Sequence, residues 1–177
     1  MLNADFYRSA VQKALAEIDP VDVPPMECVD LILRACERAE FADKSIIAVT
    51  WRRESLWYQH PGSNPRRDGG ADVGCLQLAT TYWDKAPFTD DLSNPFGTTR
   101  TKTEPFDGDP LENLIVGCRA YIQLLKRAKG DRGVAAGLYR AGQVNPDPSS
   151  AYAVRRDEFM GVVASYDAFF AMPLPSY

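Results

Sequence analysis

Apolar residues recur at helical intervals along most of this chain, and this spacing predicts seven helices. Their approximate bounds are 6–18, 29–39, 44–60, 76–85, 110–129, 132–141 and 149–171. Asp43, Asp109 and Asp131 each directly precede one of these helices and are predicted N-caps. Ser149 or Ser150 is the predicted cap of the last helix.

Two segments break the helical pattern. Residues 60–74 are rich in Gly, Pro, Asn, Asp and Arg, which predicts a turn-rich loop or a small hairpin. Residues 86–108 contain three prolines and are predicted to form an extended loop, a length typical of lids or binding elements. A mainly α, or α+β, single domain with a minor β element follows from this pattern.

Composition narrows the possible partners. The 177 residues correspond to about one domain, and 20 basic against 24 acidic residues leave a net charge of −4. Duplex-DNA binders usually carry a basic excess, so nucleic acid is not an expected partner. Arg52, Arg53, Arg66 and Arg67 are close in sequence and could still form a local basic patch. No apolar run approaches the ~20 residues of a membrane span, so membrane insertion is not expected.

The cysteines and the single histidine favour neither a metal nor a cofactor. Cys28, Cys36, Cys75 and Cys118 match no zinc-binding spacing, and with only His60 a catalytic zinc site is not expected. Eight residues on one helix place Cys28 and Cys36 ~12 Å apart, too far for a disulfide. Buried, reduced thiols are therefore expected. The first 20 residues lack the apolar stretch of a signal peptide, which indicates synthesis in the cytoplasm.

Glu54 is the most informative candidate for chemistry. It lies three residues after Trp51 and four before Tyr58, which places it on the apolar face of its predicted helix. Desolvation among aromatic rings would raise the pKa of this carboxyl, as suits a general acid near neutral pH. The competing interpretation is a boundary glutamate paired with an arginine.

Four motifs in a fixed order extend this observation. Glu54-Ser55 is followed by GGADVGCLQL from Gly69, by DPLENLIVGCRAY from Asp109, and by LYRAG from Leu138. In order and spacing they resemble the soluble lytic transglycosylases of the lysozyme-like superfamily, over about residues 44–142. The resemblance divides the chain into N-terminal helices (1–40), a catalytic core (44–142) and a C-terminal helix (149–171).

The resemblance implies a lysozyme-like fold with a cleft, and cleavage of the β-1,4 bond between N-acetylmuramic acid and N-acetylglucosamine in peptidoglycan. Glu54 would protonate the glycosidic oxygen and then deprotonate the muramyl 6-hydroxyl, which closes a 1,6-anhydro ring. By the same resemblance, Gln77 matches the family's cleft-lining glutamine and Tyr139 matches a motif tyrosine near the catalytic glutamate. Ser55 matches the serine that follows this glutamate. Arg140 replaces the family's asparagine, and a cation there would lower the pKa of Glu54. Tyr82, with the neighbouring aromatic residues, could stack on a sugar face.

Several alternatives stay open from the sequence. Asp68 or Asp72 could act as the second carboxylate of a hydrolytic muramidase of the endolysin type, or both could simply be turn residues beside glycine. The fold could also be a non-catalytic glycan-binding or assembly module, and a chitinase or chitosanase would need only another substrate. Peptidoglycan lies outside the cytoplasmic membrane. A chain without a signal peptide would therefore reach this substrate by release through a holin, as part of a virion, or through a secretion system. A secreted enzyme of this kind would be made together with an immunity protein.

Overall fold

The computed structural model of the protein describes residues 23–141 and 151–171, without the side chains of residues 140–141 and 151–158. The described part is mainly helical with one small antiparallel sheet, which confirms the predicted class. The predicted helix 6–18 and the predicted serine cap at 149–150 lie outside the described residues. The elements are α1 (Met26–Arg38), α2 (Lys44–Ser55), β1 (Asn64–Pro65), β2 (Ala71–Val73), β3 (Leu78–Ala79), α3 (Thr80–Trp83), α4 (Pro110–Arg127), α5 (Arg132–Ala141) and α6 (Ala151–Phe170).

The three aspartate caps are confirmed. The Asp43 carboxylate accepts a hydrogen bond from the backbone N–H of Ile46 at 3.1 Å, which satisfies one of the free donors at the start of α2. Asp109 does the same for the first turn of α4, where Pro110 occupies the first helical position. Asp131 accepts from the third residue of α5 at 2.9 Å. Local polar chemistry therefore fixes where these helices begin.

The helix that carries Glu54 ends earlier than predicted. Helix α2 stops at Ser55, because Leu56 (φ 52°) and Trp57 (φ 69°) both adopt the left-handed conformation. Tyr58 is consequently outside the helix and 66 % exposed. The predicted extent of this helix, to residue 60 with Tyr58 on its apolar face, is therefore wrong, since two left-handed residues redirect the chain.

The turn-rich segment forms the predicted hairpin. Strand β2 pairs antiparallel with β1 and with β3, so that Asp72 lies opposite Asn64 on one side and opposite Ala79 on the other. The predicted helix 76–85 is reduced to α3. Leu76 and Leu78 are both fully buried at the two-residue spacing of a strand, and a tight turn over residues 74–77 precedes β3.

The hydrophobic core lies among α1, α2, α4, α5 and α6, with the sheet at one side. Its largest fully buried side chains include Trp51, Tyr121 and Tyr166, which come from α2, α4 and α6. Helix α6 packs on α2 and α5, and α4 packs on α1. None of the described helices has both the length and the apolar character that crossing a membrane requires.

The loop over residues 86–108 is anchored along its length. It contains no helix or strand, as predicted, but it buries Phe88, Phe96 and Phe106 in the core. The Glu112 carboxylate on α4 accepts two backbone N–H groups of the loop, at 2.9 and 2.6 Å. A loop held by three core aromatics and by buried hydrogen bonds is a fixed wall of the molecule rather than a hinged lid.

Asp91 ties this loop to two helices and makes their association pH-dependent. Its carboxylate accepts from Arg119 of α4 at 2.7 Å and lies 3.4 Å from Arg38 of α1. The hydrogen bond from Arg119 is the main reason why the pKa of Asp91 falls from 3.8 to about 2. Because the pKa of Asp91 is lower in the folded chain than in the unfolded chain, its ion pair adds to the free energy of unfolding at pH values above about 4. This contribution disappears as the pH falls from about 4 to about 2.

An Asp91→Asn variant is therefore expected to melt at a lower temperature than the wild type at pH 7, with a difference that shrinks toward zero between pH 4 and pH 2. The Asp90→Asn variant is the matched control, because Asp90 is an exposed neighbour that makes none of these contacts. Thermal melts at several pH values measure both. A pH-independent difference for Asp91→Asn would show that the side chain acts by packing instead of by charge.

Candidate active site

The turn over residues 74–77 is the point at which three helices meet the sheet. The Ser55 hydroxyl at the end of α2 donates to the carbonyl of Cys75 at 2.7 Å. The Tyr139 hydroxyl of α5 donates to the carbonyl of Leu76, also at 2.7 Å. The Asn113 amide oxygen of α4 accepts from the backbone N–H of Leu76 at 3.3 Å. Side chains from α2, α4 and α5 thus hold one short backbone segment in place.

Two glycines allow this close approach. Gly74 has φ +75°, and a Cβ there would lie 2.4 Å from the Asn113 side chain. A Cβ on Gly117, one turn after Asn113 on α4, would lie 2.0 Å from the Leu76 side chain. The second motif, which contains the turn, and the third motif, which lies on α4, are therefore in direct contact. Their spacing is explained by packing between the turn and the helix.

Glu54 lies on the last turn of α2 and is half-buried at the edge of a small recess. The recess measures about 20 Å³, close to the space that a single water molecule needs. The residues that line it are Thr50, Arg53, Glu54, Tyr121, Ala136, Tyr139 and Phe159. Three aromatic residues, from α4, α5 and α6, therefore line the recess beside Glu54, whereas Trp51 and Tyr58 do not line it.

Tyr121 and Tyr139 form one wall of this recess. Their rings stack in parallel, 4.8 Å apart and tilted by only 4°. The Thr50 hydroxyl donates its single proton to the carbonyl of Ile46, so it accepts the proton of the Tyr121 hydroxyl at 2.7 Å. Both tyrosine hydroxyl groups are thus hydrogen-bonded, to Thr50 and to the carbonyl of Leu76, while their rings are stacked.

Tyr139 is electrostatically close to two carboxylates. Burial raises the pKa of Tyr139 well above its ordinary value, and Tyr121, Glu54 and Asp72 raise it further. The phenol is therefore neutral at physiological pH and keeps its proton for the carbonyl of Leu76. The same interaction shows that Glu54 and Asp72 both lie within electrostatic reach of one hydroxyl group, although α2 and β2 carry them.

The hairpin presents a polar face next to this region. Residues directly opposite in a sheet share a face, so Asn64, Asp72 and Arg66 (two residues beyond Asn64) lie on the same side. Arg66 binds Asp72 at 2.8 Å and Asp68 at 3.3 Å. The charge of Arg66, one member of the possible basic patch, is therefore largely neutralised. Asp68 and Asp72, the two candidates for the second carboxylate, both bind the same guanidinium group.

Asp68 and Asp72 differ in position. Asp68 is exposed in the turn between β1 and β2, where the N–H of Gly70 is the main cause of its lowered pKa, followed by Thr81 and Arg66. Asp72 is half-buried on β2 and is the one whose charge reaches Tyr139. Of the two, Asp72 is the less exposed, and Asp68 lies at the hairpin tip.

The other predicted contact residues have different surroundings. Gln77 is left-handed (φ +49°) and its amide is bound to Asn64 and to the carbonyls of Gly62 and Gly74. Tyr82 is 42 % exposed, with the Arg66 guanidinium over its ring at 5.6 Å. The Ser55 hydroxyl is buried and faces the turn.

Arg140 belongs to α5, and its side chain lies outside the described residues. Among the described residues, no group of three or more His, Cys, Asp or Glu side chains is arranged to hold a metal ion.

Thr50 and Tyr121 line the recess beside Glu54 and are not among the site residues predicted from the sequence. The signal for Thr50 is its position one helical turn before Glu54, which puts both on one face. Tyr121 follows Gly117 by four residues on α4 and so shares the face that meets the turn.

Comparisons with models of protein families, with curated proteins and with solved structures found no match to this chain.

Proposed function

We propose that this chain is a peptidoglycan-cleaving glycosidase with a lysozyme-like arrangement, in which Glu54 is the general acid and base. The observation that carries the proposal is the environment of Glu54, a half-buried residue at a recess lined by two stacked tyrosines. A general acid must be protonated near neutral pH. The aromatic lining favours the protonated form, whereas the Arg53 side chain in the same lining favours the carboxylate.

The proposed chemistry needs one carboxyl group. Glu54 first donates its proton to the glycosidic oxygen as the bond to the muramyl anomeric carbon breaks. The resulting carboxylate then takes the proton of the muramyl 6-hydroxyl, whose oxygen attacks the anomeric carbon. The products are a 1,6-anhydro sugar end and a free 4-hydroxyl, and Glu54 is protonated again. No water is consumed.

The state of the aspartates favours this lytic transglycosylase reaction. A hydrolytic muramidase of the inverting type needs a second carboxylate that activates water, ~6.5–9.5 Å from the acid. Asp68 and Asp72 are both paired with Arg66, which favours their role in holding the hairpin. The second candidate function is hydrolysis with Asp72 as base, because Asp72 is the half-buried one of the two aspartates.

The hairpin and α3 would provide the binding surface for the glycan strand. The exposed ring of Tyr82 offers a flat apolar platform for a sugar, with Arg66 packed on its face. Both N–H donors of the Gln77 amide are used by the carbonyls of Gly62 and Gly74, and its oxygen accepts from Asn64. Its oxygen therefore keeps one lone pair for a sugar hydroxyl or amide N–H. Delivery to the cell wall by a holin or a secretion system, with an immunity protein in the latter case, belongs to the same proposal.

The direct test is digestion of purified sacculi, followed by mass spectrometry of the released fragments. Fragments that end in anhydro-muramic acid, lighter by one water than reducing ends, support the transglycosylase. Reducing ends support the muramidase. Binding to sacculi without any released fragment would contradict an enzyme and favour a glycan-binding or assembly module, and release from chitin oligomers alone would contradict the substrate.

The two reactions also differ in their response to Asp72→Asn. For the transglycosylase we expect the variant to retain cleavage within about fivefold of the wild type, since it loses one partly exposed ion pair worth up to about 1 kcal/mol. The rate of fragment release measures this. Asp68→Asn is the matched control, because it removes the other partner of Arg66. A loss of about 10²-fold or more in Asp72→Asn alone would indicate a hydrolytic base.

A further inference from the structure

Two buried thiols face each other between the helices that support the candidate site. The sulfur atoms of Cys36 on α1 and Cys118 on α4 are 3.8 Å apart. Cys36 is 2 % exposed and Cys118 is completely buried. They are 82 residues apart in sequence, and α1 and α4 pack along each other in the core. The contact therefore joins two distant parts of the chain.

We propose that Cys36 and Cys118 are a site of oxidative modification, at which a disulfide bond locks α1 to α4. A disulfide needs a sulfur–sulfur distance of about 2.05 Å, so the two atoms must approach by about 1.8 Å, or about 0.9 Å each. Rotation of the two side chains about their Cα–Cβ bonds is the movement that would close this gap. This inference is independent of the proposed glycan cleavage.

The reaction is a thiol–disulfide exchange with a low-molecular-weight disulfide as the oxidant. One cysteine sulfur attacks the oxidant and releases one small thiol, and the second cysteine sulfur then displaces the other. Two cysteine hydrogens are transferred, one disulfide is reduced and one is formed. Burial, followed by the neighbouring Cys36, raises the pKa of Cys118 well above its ordinary value, so the folded thiol reacts slowly. Oxidation is therefore expected while the chain folds in an oxidising medium.

The other two cysteines are engaged elsewhere. The Cys28 thiol donates to the carbonyl of Trp57 at 3.5 Å, and the Cys75 thiol donates to the carbonyl of Gln59 at 3.4 Å. Both are directed toward the backbone that follows α2. The 3.8 Å sulfur–sulfur contact is that of Cys36 and Cys118. Their cross-link would fix the helix whose Asn113 and Gly117 hold the turn beside Glu54.

The test is to refold the wild-type chain in a mixture of oxidised and reduced glutathione and to compare it with the chain refolded in excess reductant. We expect the oxidised product to be lighter by two hydrogens, with one peptide pair joined through Cys36 and Cys118. Its melting temperature should exceed that of the reduced chain by roughly 5–15 °C, because a long loop is closed in the unfolded state.

Cys36→Ala is expected to abolish the cross-link, and Cys28→Ala is the matched control that should retain it. Because either buried substitution can impair folding, the peptide map of the wild type decides the outcome on its own. A fully reduced chain after refolding with oxidant overturns the proposal. So does a cross-link mapped to another pair, or one that leaves the melting temperature unchanged or lower.

Discussion

A Glu54→Gln variant is expected to release fragments from purified sacculi about 10²- to 10⁴-fold more slowly than the wild type. Glutamine has nearly the shape of glutamate, so the packing against Tyr121, Tyr139 and Phe159 is retained. It cannot give a proton to the glycosidic oxygen or accept one from the muramyl hydroxyl. In a mechanism with a single acid and base, both chemical steps are lost together.

The shape of the side chain can be separated from its chemistry. Glu54→Asp keeps the carboxyl but shortens its reach by one methylene, so we expect an intermediate rate. Glu37→Gln, on the exposed side of α1, is the matched control and should cleave at the wild-type rate. Thermal melts show whether each variant is folded. If folded Glu54→Gln cleaves sacculi as fast as the wild type, Glu54 is not the acid and the proposed mechanism is wrong.

The beginnings of the helices could be predicted from sequence because they depend on local chemistry. An aspartate such as Asp43, Asp109 or Asp131 caps the N–H groups two or three residues ahead, and nothing distant needs to be known. The hairpin over residues 60–74 was predictable for the same reason, because its glycines and aspartates favour turns.

The end of α2 depends on tertiary contacts. Leu56 and Trp57 carry no sequence signal for the left-handed conformation, which side chains with a Cβ rarely adopt. The Trp51 indole N–H donates to the carbonyl of Tyr58, and the Ser55 hydroxyl also reaches that carbonyl at 3.3 Å, so the chain is folded back onto the helix. Helical periodicity alone extends through such a point.

The candidate site was likewise predictable from the sequence only in part. Glu54 and Tyr139 were found from the sequence, and the structure places both at one recess. The aromatic partner Tyr121 was not found, because a tyrosine in an apolar stripe has the same pattern whether it lies in the core or lines a site. The motif around Asn113 was recognised as a marker, whereas the structure shows its physical role in clamping the turn.

Asn113→Ala is expected to destabilise the protein by about 3–5 kcal/mol, a large part of the ~5–15 kcal/mol that stabilises a typical domain. Asn113 is completely buried, and its amide oxygen accepts from the N–H of Leu76. Its amide nitrogen donates to the carbonyl of Pro95 at 2.9 Å and, more weakly, to that of Val73 at 3.4 Å. Removal of the amide leaves these groups without a partner away from water, at about 1–3 kcal/mol each, and opens a cavity.

Urea unfolding measures this loss, and Asn94→Ala is its matched control. The Asn94 amide makes one exposed hydrogen bond, to the carbonyl of Asp107, so its removal should cost about 1 kcal/mol or less. Asn113→Asp tests the donor separately, since a carboxylate would face the carbonyl of Pro95 while the acceptor for Leu76 is kept. We expect Asn113→Asp to be destabilised at pH 7 and to recover in part in acid, where the protonated carboxyl can donate. Equal stability of Asn113→Ala and the wild type would show that the turn is held by Ser55 and Tyr139 alone.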